Sequence, residues 1–336
     1  MKTADEQIHE FIDVFDVWEP ARPFLSLMVD EREMDLVVQA YRQDDQNLTV
    51  ELIADLLGLD YAQADKLVQR AYGRCILNKV VEDGVPKFTP SNFYSRLDHF
   101  AKYENWHDIP PNDRKVINRR FLDEFINRHK ENIKRKMRGL EAENALPNDT
   151  VMLLSEVEEM IHAATNIVVQ PCDCRMLGEN CDKPVETCIW LDEGAREALD
   201  RGHGRSLTKE EAIELLRYTD KKGLMHTADS EWRDRGLHAI CNCCACDCYP
   251  FSAAQELGTK GVWPKSHYVA AHDLDLCNMC GSCVKRCHFD AFVLTDEIVF
   301  VGDKDKQRVI YDSDNCWGCG LCANTCPENA IQMRNL

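Results

Sequence analysis

Apolar residues recur at helical spacing through the first third of the chain. Met34, Leu36, Val37, Ala40 and Tyr41 predict one helix, and residues 49–59 predict a second that ends at a glycine turn. Asp60 is placed to cap a third, with Ala64, Leu67, Val68, Ala71 and Tyr72 on one face. The period then changes. Residues 78–81 and 85–88 flank Glu82-Asp83-Gly84 and predict a hairpin. Pro110-Pro111 interrupts the chain, after which Asn112 or Asp113 caps a long helix running to Gly139, with Ile117, Phe121, Phe125 and Ile133 on its buried face. Residues 140–149 read as a linker. Thr150 caps a helix over 151–164, residues 167–170 form a short buried strand, and Thr208-Lys209-Glu210-Glu211 is a capping box for a helix ending near Gly223. Residues 237–240 predict another strand. Residues 298–301 and 308–311 predict a hairpin around Gly302-Asp303-Lys304-Asp305.

Residues 33–90, three helices and a hairpin, look like a winged helix-turn-helix. Lys66, Arg70 and Arg74 fall at i, i+4, i+8 on its third helix, a stripe able to meet phosphates. Against that, residues 1–110 hold 21 Asp and Glu against 11 Lys and Arg, and the tip of the wing is Glu82-Asp83. A duplex repels such a surface, so the element reads as a protein-docking one. Cys75 reads as a small buried hydrophobe. The long helix is the strongly positive element, with Arg114, Lys115, Arg119, Arg120, Arg128 and Lys130 among its basic residues. It reads as a solvated face that offsets the acidic bulk, or as a dock for an acidic partner.

Composition changes the picture. The 336 residues carry 18 Cys and a net charge of −18. The acidic balance argues against general nucleic-acid binding and favours a partner with a basic patch. No apolar h-region follows Met1, and no apolar run reaches the ~18–20 residues of a membrane span. The expected setting is a reducing cytoplasm, with the cysteines serving as metal ligands. Clusters of low potential suggest an anaerobe.

Residues 277–326 hold Cys277-x-x-Cys280-x-x-Cys283-x-x-x-Cys287 and Cys316-x-x-Cys319-x-x-Cys322-x-x-x-Cys326-Pro327. This C-x₂-C-x₂-C-x₃-C run carries cubane iron–sulfur clusters, and it is written twice. Three thiolates two residues apart on a tight turn converge, while the fourth is aimed away. Zinc would want separated Cys pairs, and disulfides an oxidising compartment. Over residues 265–336 the chain resembles the bacterial dicluster ferredoxins. The resemblance implies two 4Fe-4S clusters, one held by Cys277, Cys280, Cys283 and Cys326, the other by Cys316, Cys319, Cys322 and Cys287. The chain departs from that family at His288, where Pro is usual, and in the longer stretch between the copies.

Nine more cysteines lie upstream. The predicted strand at 167–170 delivers Pro171-Cys172-Asp173-Cys174-Arg175, followed by Cys181 and Cys188, and the strand at 237–240 ends in Cys241, Cys243, Cys244, Cys246 and Cys248. Two strands that each empty into cysteines suggest two sides of one metal-binding pocket. Thiolates accept iron–sulfur clusters or zinc. Cys172, Cys174, Cys181 and Cys188 offer one four-thiolate site, with the 241–248 set a second, or both groups share one larger centre. In extended chain Cys244, Cys246 and Cys248 point together and Cys243 to the other face. His238, three residues before Cys241, is the candidate non-thiolate ligand or proton donor. Arg175 and Arg196 suit an anionic ligand or salt bridges. The arrangement is similar to ferredoxin-domain proteins that carry PC-x-CR and CNCC segments ahead of a C-terminal dicluster, a resemblance over most of residues 170–336 that implies no established activity.

No glycine-rich loop of the NAD, FAD or ATP type is present, and Gly202-His203-Gly204 lacks a third glycine and the right context. The expected fold class is α+β: a winged-helix-like helical N-terminal domain (1–110), a basic helix and linker (111–150), a central α/β Cys-rich metal-binding domain (151–262) and a dicluster ferredoxin-like domain (263–336). The expected function is electron transfer as subunit or partner of a larger redox enzyme. The alternatives are a metalloenzyme centred on the upstream thiols and a cluster-sensing winged-helix regulator.

Overall fold

Side-chain caps set where the N-terminal helices begin. In the computed structural model, which describes residues 4–140 and 146–336, Asp30 and Asp60 each form a capping box, with Glu33 and Gln63, and Thr49 and Asn92 accept from Leu52 and Ser95 backbone N–H groups. The helices are α1 (Ala4–Val14), α2 (Leu25–Met28), α3 (Glu31–Tyr41), α4 (Val50–Leu57), α5 (Tyr61–Gly73) and α6 (Phe93–Tyr103). Between α5 and α6 lies an antiparallel hairpin, β1 (Leu77–Glu82) and β2 (Val85–Pro90), turned by Asp83 and Gly84, both at positive φ. The chain divides into two units. The first holds residues 1–124 with 176–178 and 200–203. Phe11, Phe15, Phe93, Phe100 and Trp106 fill its interior. Beside them lies a polar knot, buried at Glu33 and Arg96 and half-buried at Arg74 and Glu104: Arg74 donates to Glu33 at 2.7 Å and Glu104 at 2.9 Å, and Arg96 reaches Glu104 at 2.5 Å. Arg70 pairs with Asp30 and Glu33. Two of the three cations on the expected phosphate-facing stripe are therefore ion-paired within the unit.

The long basic helix α7 (Pro111–Met137) starts at Pro111 and not after Asn112 or Asp113. Proline suits the first helical position because its missing N–H would have no intrahelical partner there. The second unit holds residues 125–175, 179–199 and 204–336. Residues 150–164 depart from expectation: Thr150–Met152 is a strand, β3, and the helix α8 (Leu154–Ala163) follows it without a side-chain cap from Thr150. The linker reading over 140–149 falls partly on residues 141–145, and the reading of the N-terminus on Met1–Thr3; both lie outside the described residues.

The second unit is built on a seven-stranded sheet. Its strands are β3, β4 (Ile167–Pro171), β5 (Glu186–Leu191), β6 (Arg205–Ser206), β7 (Met225–Ala228), β8 (Ala239–Cys243) and β9 (Lys265–Ser266), in the order β6-β4-β5-β8-β7-β3-β9. All pairs are antiparallel except β3 with β9. Between strands run α9 (Asp173–Gly178), α10 (Asp192–Asp200), α11 (Lys209–Lys221) and α12 (Trp232–Arg235), and after β8 comes α13 (Tyr249–Leu257). Val157, Met160 and Ile161 of α8 and Ala212 and Leu216 of α11 pack with Ile189, Leu191 and Ile240. A separate core joins Val151, Met225 and Cys243 with Phe251, Trp317 and Leu321. Alternation along the strands turns Cys188, Cys241 and Cys243 away from the face that carries Ile189 and Ile240.

The C-terminal part pairs β10 (Tyr268–His272) with β13 (Ile331–Asn335) and carries two short helices, α14 (Ser282–Arg286) and α15 (Leu321–Thr325). The hairpin between the cysteine runs is longer than its two apolar stretches predict: β11 (Phe292–Val301) and β12 (Lys304–Tyr311) meet at a two-residue turn, Gly302-Asp303.

Candidate metal centres

All 18 cysteines are free thiols. In each C-terminal run a glycine at positive φ, Gly281 or Gly320, opens a one-turn helix, and the fourth cysteine, Cys287 or Cys326, stands at the C-cap. There the chain turns, so that thiol leaves the direction of the three before it. Gly318 is required by both its positive φ and its approach to the Tyr268 carbonyl, where a Cβ has no room. Cys277, Cys280, Cys283 and Cys326 line one small cavity of about 10 Å³. Burial, then Cys277 and Cys280, pushes the Cys283 thiol up to about 11. In the other group, burial together with Cys316 and Cys287 pushes Cys319 up to about 12, and Cys322 rises for the same reason beside Cys319, Cys316 and Cys287. These are two crossed sets of four.

Backbone N–H groups point at the sulfurs. Ala291 donates to Cys287 Sγ and Ala330 to Cys326 Sγ, both at 3.3 Å, and Gly318 donates to Cys316 Sγ at 3.4 Å. The buried Tyr311 hydroxyl neighbours Cys316 and the Ala270 backbone. Donors trained on sulfur, with four thiols round each site, fit iron–sulfur clusters. His288, in place of the usual proline, bonds the Gly223 carbonyl oxygen at 2.6 Å.

The upstream thiols sort differently from any grouping by sequence. Six form a closed circuit in which each interacts with the next: Cys172, Cys188, Cys241, Cys243, Cys248, Cys174 and back to Cys172. Cys172 and Cys174 flank the start of α9, Cys188 is on β5, Cys241 and Cys243 are on β8, and Cys248 caps α13. Hydrogen bonds from Cys172 and Cys241 lower the Cys188 thiol, and those from Cys241 and Cys248 lower Cys243. Asp173 brings a carboxylate oxygen within 4.8 Å of the Cys172 and Cys188 sulfurs.

A second group joins Cys181, Cys244, Cys246 and Asp247, with all four donor atoms within 4.8 Å of one another. Cys181 Sγ lies 3.9 Å from Cys244 Sγ and 3.2 Å from Asp247 Oδ2. Asn180 holds the other Asp247 oxygen, Oδ1, at 2.9 Å. Two expectations change here. Cys181 leaves Cys172, Cys174 and Cys188 for the 244–247 turn. Cys248 parts from Cys244 and Cys246, because residues 245–247 are a turn and the extended alternation ends at Cys243. Asp247 is a site residue that the sequence does not announce, since an acid inside a run of cysteines carries no signal of its own.

Arg175 is buried beside these thiols. It donates to the Asn242 carbonyl oxygen at 2.8 Å, the Pro184 carbonyl oxygen at 3.0 Å and Thr187 Oγ1, and approaches Cys244 Sγ at 3.9 Å. Among the described residues no carboxylate pairs with it, so salt-bridge duty is not its role. Burial opposes its charge, and Cys172, Cys188 and Cys244 outweigh burial and hold its pKa above the usual arginine value. Asn148 donates its amide to Cys241 Sγ at 2.9 Å, and Thr227 Oγ1 lies 3.7 Å from Cys243 Sγ.

His238 does not join the thiols. β8 begins at Ala239, so three residues of extended chain, roughly 10 Å, separate His238 from Cys241. Its ring meets Trp190 edge-on at 5.1 Å and lines a cleft of about 940 Å³ with Asp149, Asp192, Arg196 and Asp229. His226 does contact the support of the site: its Nδ1 donates to Asn242 Oδ1 at 2.7 Å.

Comparison with known proteins agrees with the C-terminal reading. Residues 276–330 match the family described as 4Fe-4S dicluster domain. The "Probable oxidoreductase YjgC" of Bacillus subtilis (strain 168) is 25% identical over 211 residues, 56% of this chain and 20% of that protein. The "Putative formate dehydrogenase SAR2393" of Staphylococcus aureus is 35% identical over 71 residues, 19% of this chain and 7% of that protein, and a namesake in Staphylococcus haemolyticus is 34% identical over the same length. The chain thus spans a fifth or less of the length of these relatives. No solved structure matches it. No helix among the described residues is long and apolar enough to cross a membrane. Residues 276–330 are thus a ferredoxin-like 4Fe-4S dicluster domain, and the chain's distant relatives bear the names of a probable oxidoreductase and of putative formate dehydrogenases.

Proposed function

We propose that the protein carries electrons for a larger oxidoreductase in a reducing cytoplasm, through two C-terminal 4Fe-4S clusters and at least one further iron–sulfur centre upstream. Cys277, Cys280, Cys283 and Cys326 would hold one cluster, and Cys316, Cys319, Cys322 and Cys287 the other. Cys172, Cys174, Cys188, Cys241, Cys243 and Cys248 would hold the upstream centre, and Cys181, Cys244, Cys246 and Asp247 a smaller metal site beside it. The clusters, when bound, take up and release single electrons. The chain supplies the rest. Ala291, Ala330, Gly318, Asn148 and Thr227 direct donors at sulfur, Arg175 sets a positive charge against the massed thiolates, and the hydrophobic packing excludes water. The names of the relatives favour a partner of the formate dehydrogenase kind.

The observation that carries this reading is the six-thiol circuit. Six thiols from four separate segments, four of them buried and Cys174 and Cys241 half-buried, converge with a guanidinium that has no acid to pair with among the described residues. A hydrophobic core gains nothing from that arrangement. Iron and acid-labile sulfide analysis of anaerobically purified protein tests it. The two C-terminal clusters account for about eight irons per chain. A total clearly above that, falling back when Cys188 or Cys241 is exchanged for Ser, is the expected result. A total unchanged by either exchange defeats the upstream centre.

A metalloenzyme reading is second. Pro147 and Asp149 line the large cleft and flank Asn148, which contacts Cys241. A substrate in that cleft would lie one residue from a thiol of the circuit. The helices α3 to α5 with the β1–β2 hairpin form a winged-helix-like element for protein docking, since Arg70 and Arg74 are already paired.

A further inference from the structure

Cys75, between α5 and β1, meets His99 of α6 and His203 within the first unit. One donor atom from each lies within 4.8 Å of the other two. The proton positions follow from the partners. His203 Nε2 lies 2.6 Å from the Gly73 carbonyl oxygen, which only accepts, so Nε2 carries the proton and Nδ1 is bare. His99 Nε2 faces the Glu104 carboxylate at 3.2 Å, which leaves its Nδ1 bare as well. That Nδ1 is buried, in a residue only 6% exposed, and has no hydrogen-bond partner. An imidazole whose one nitrogen is free while the other donates to a carboxylate or a backbone carbonyl is in the arrangement that metal-bound histidines adopt. Here two such rings stand beside a thiol.

Packing alone accounts for less. His99, His203 and Tyr103 stack with centroids 4.8 to 5.1 Å apart, which explains the ring positions. It explains neither the orphaned Nδ1 nor the backbone of Cys75, held at φ +56° where side chains other than Asn and Asp are rare. Arg201 lies 3.9 Å from Cys75 Sγ, and Arg96 and Lys102 stand near Cys75 and His99; all three steady a thiolate while opposing a dication, and Glu104 and Asp98 offset part of their charge.

The geometry points to a zinc site, held by Cys75 Sγ, His99 Nδ1 and His203 Nδ1, separate from the iron–sulfur centres. One sulfur and two imidazoles suit a borderline-soft divalent ion, and three protein ligands leave a fourth position for water or a further donor. The ion ties the end of α5, the face of α6 and the 200–203 segment together.

The test uses the full chain, reconstituted anaerobically with iron and sulfide so that the other thiols are occupied, then given zinc and passed over a chelator. The expected outcome is one tightly held zinc per chain, with a zinc-edge X-ray absorption spectrum of one sulfur and two imidazoles. Cys75→Ser and His203→Gln lose the zinc and keep the iron. Zinc that washes off overturns the proposal, as does a spectrum of sulfur ligands alone or zinc retained equally in both variants. If a variant fails to fold, as circular dichroism would report, the absorption spectrum of the unaltered chain decides alone.

Discussion

The Asn148 carboxamide donates to Cys241 Sγ at 2.9 Å from a backbone at φ +45°. A donor on a ligand sulfur stabilises the reduced, more negative state of a metal–thiolate centre, so its removal lowers the reduction potential. Asn148→Gly deletes the amide and keeps a residue at ease with that backbone. A net hydrogen bond is worth about 0.5–1.5 kcal/mol, and one electron at ~59 mV per tenfold converts this to tens of millivolts. A redox titration followed by electron paramagnetic resonance should show the upstream signal shifted down by that amount while the C-terminal signals stay put. An unmoved upstream signal would mean that Cys241 does not serve the reducible centre.

Arg175 should not tolerate a lysine. Its fork serves the Asn242 and Pro184 carbonyls and Thr187 at once, geometry that a single ammonium lacks. Removing one partner from a buried charge arrangement costs about 3–5 kcal/mol. Arg175→Gln and Arg175→Lys are both expected to lower the urea midpoint and the upstream iron content, Gln the more. Full iron retention in Arg175→Gln would strip the residue of its compensating role.

The crossing of the C-terminal ligands has a direct spectroscopic consequence. Cys326 shares its cavity with Cys277, Cys280 and Cys283, although it lies next to Cys322 in the chain. Cys326→Ser should therefore perturb the same signal as Cys277→Ser, and Cys287→Ser the same signal as Cys319→Ser. Pairing by sequence proximity instead would contradict the crossed assignment.

Much of this architecture is legible in the order of residues alone. The capping box at Thr208, the cap at Asp60 and the doubled cysteine run rest on local signals, within four to eleven residues, and local signals survive folding. The partition of the upstream thiols is not legible. It depends on β5, whose Cys188 is inserted between β4 and β8, and on the turn at 245–247 that ends the expected alternation. Both are properties of sheet order and turn placement, which a period of two along one strand does not encode. Arg175 reads in the sequence as one half of a salt bridge, because nothing nearby in the chain announces the lack of an acid.

Duplex DNA should not bind in a salt-dependent way. A phosphate-binding stripe needs unpaired cations, and Arg70 and Arg74 are held by Asp30, Glu33 and Glu104. Counterion release would otherwise make affinity fall steeply with salt. Mobility-shift titrations at low and moderate salt should be equally blank. A steep loss of binding with salt would return α3 to α5 and the β1–β2 hairpin to nucleic acid.

The two upstream groups should respond independently to exchange of their own thiols. Cys188 interacts with Cys172 and Cys241, whereas Cys181 lies 3.9 Å from Cys244 and 3.2 Å from Asp247, with the Arg175 side chain near both Cys188 and Cys244. If the six-thiol circuit holds one centre and the 181–244–246–247 group another, Cys188→Ser abolishes the larger part of the upstream metal and Cys181→Ser only the smaller. The remaining metal in each variant keeps its own spectrum. Asp247→Asn is the sharper probe, since it removes a charged donor without touching any sulfur. It should weaken metal retention in the smaller group, by about 10- to 100-fold if the carboxylate only orients a ligand and by more if it is itself bound to the metal. Metal analysis after graded chelation reads both effects. Simultaneous loss of all upstream metal in Cys181→Ser, in a chain that remains folded by circular dichroism, would show that the two groups share a single larger centre.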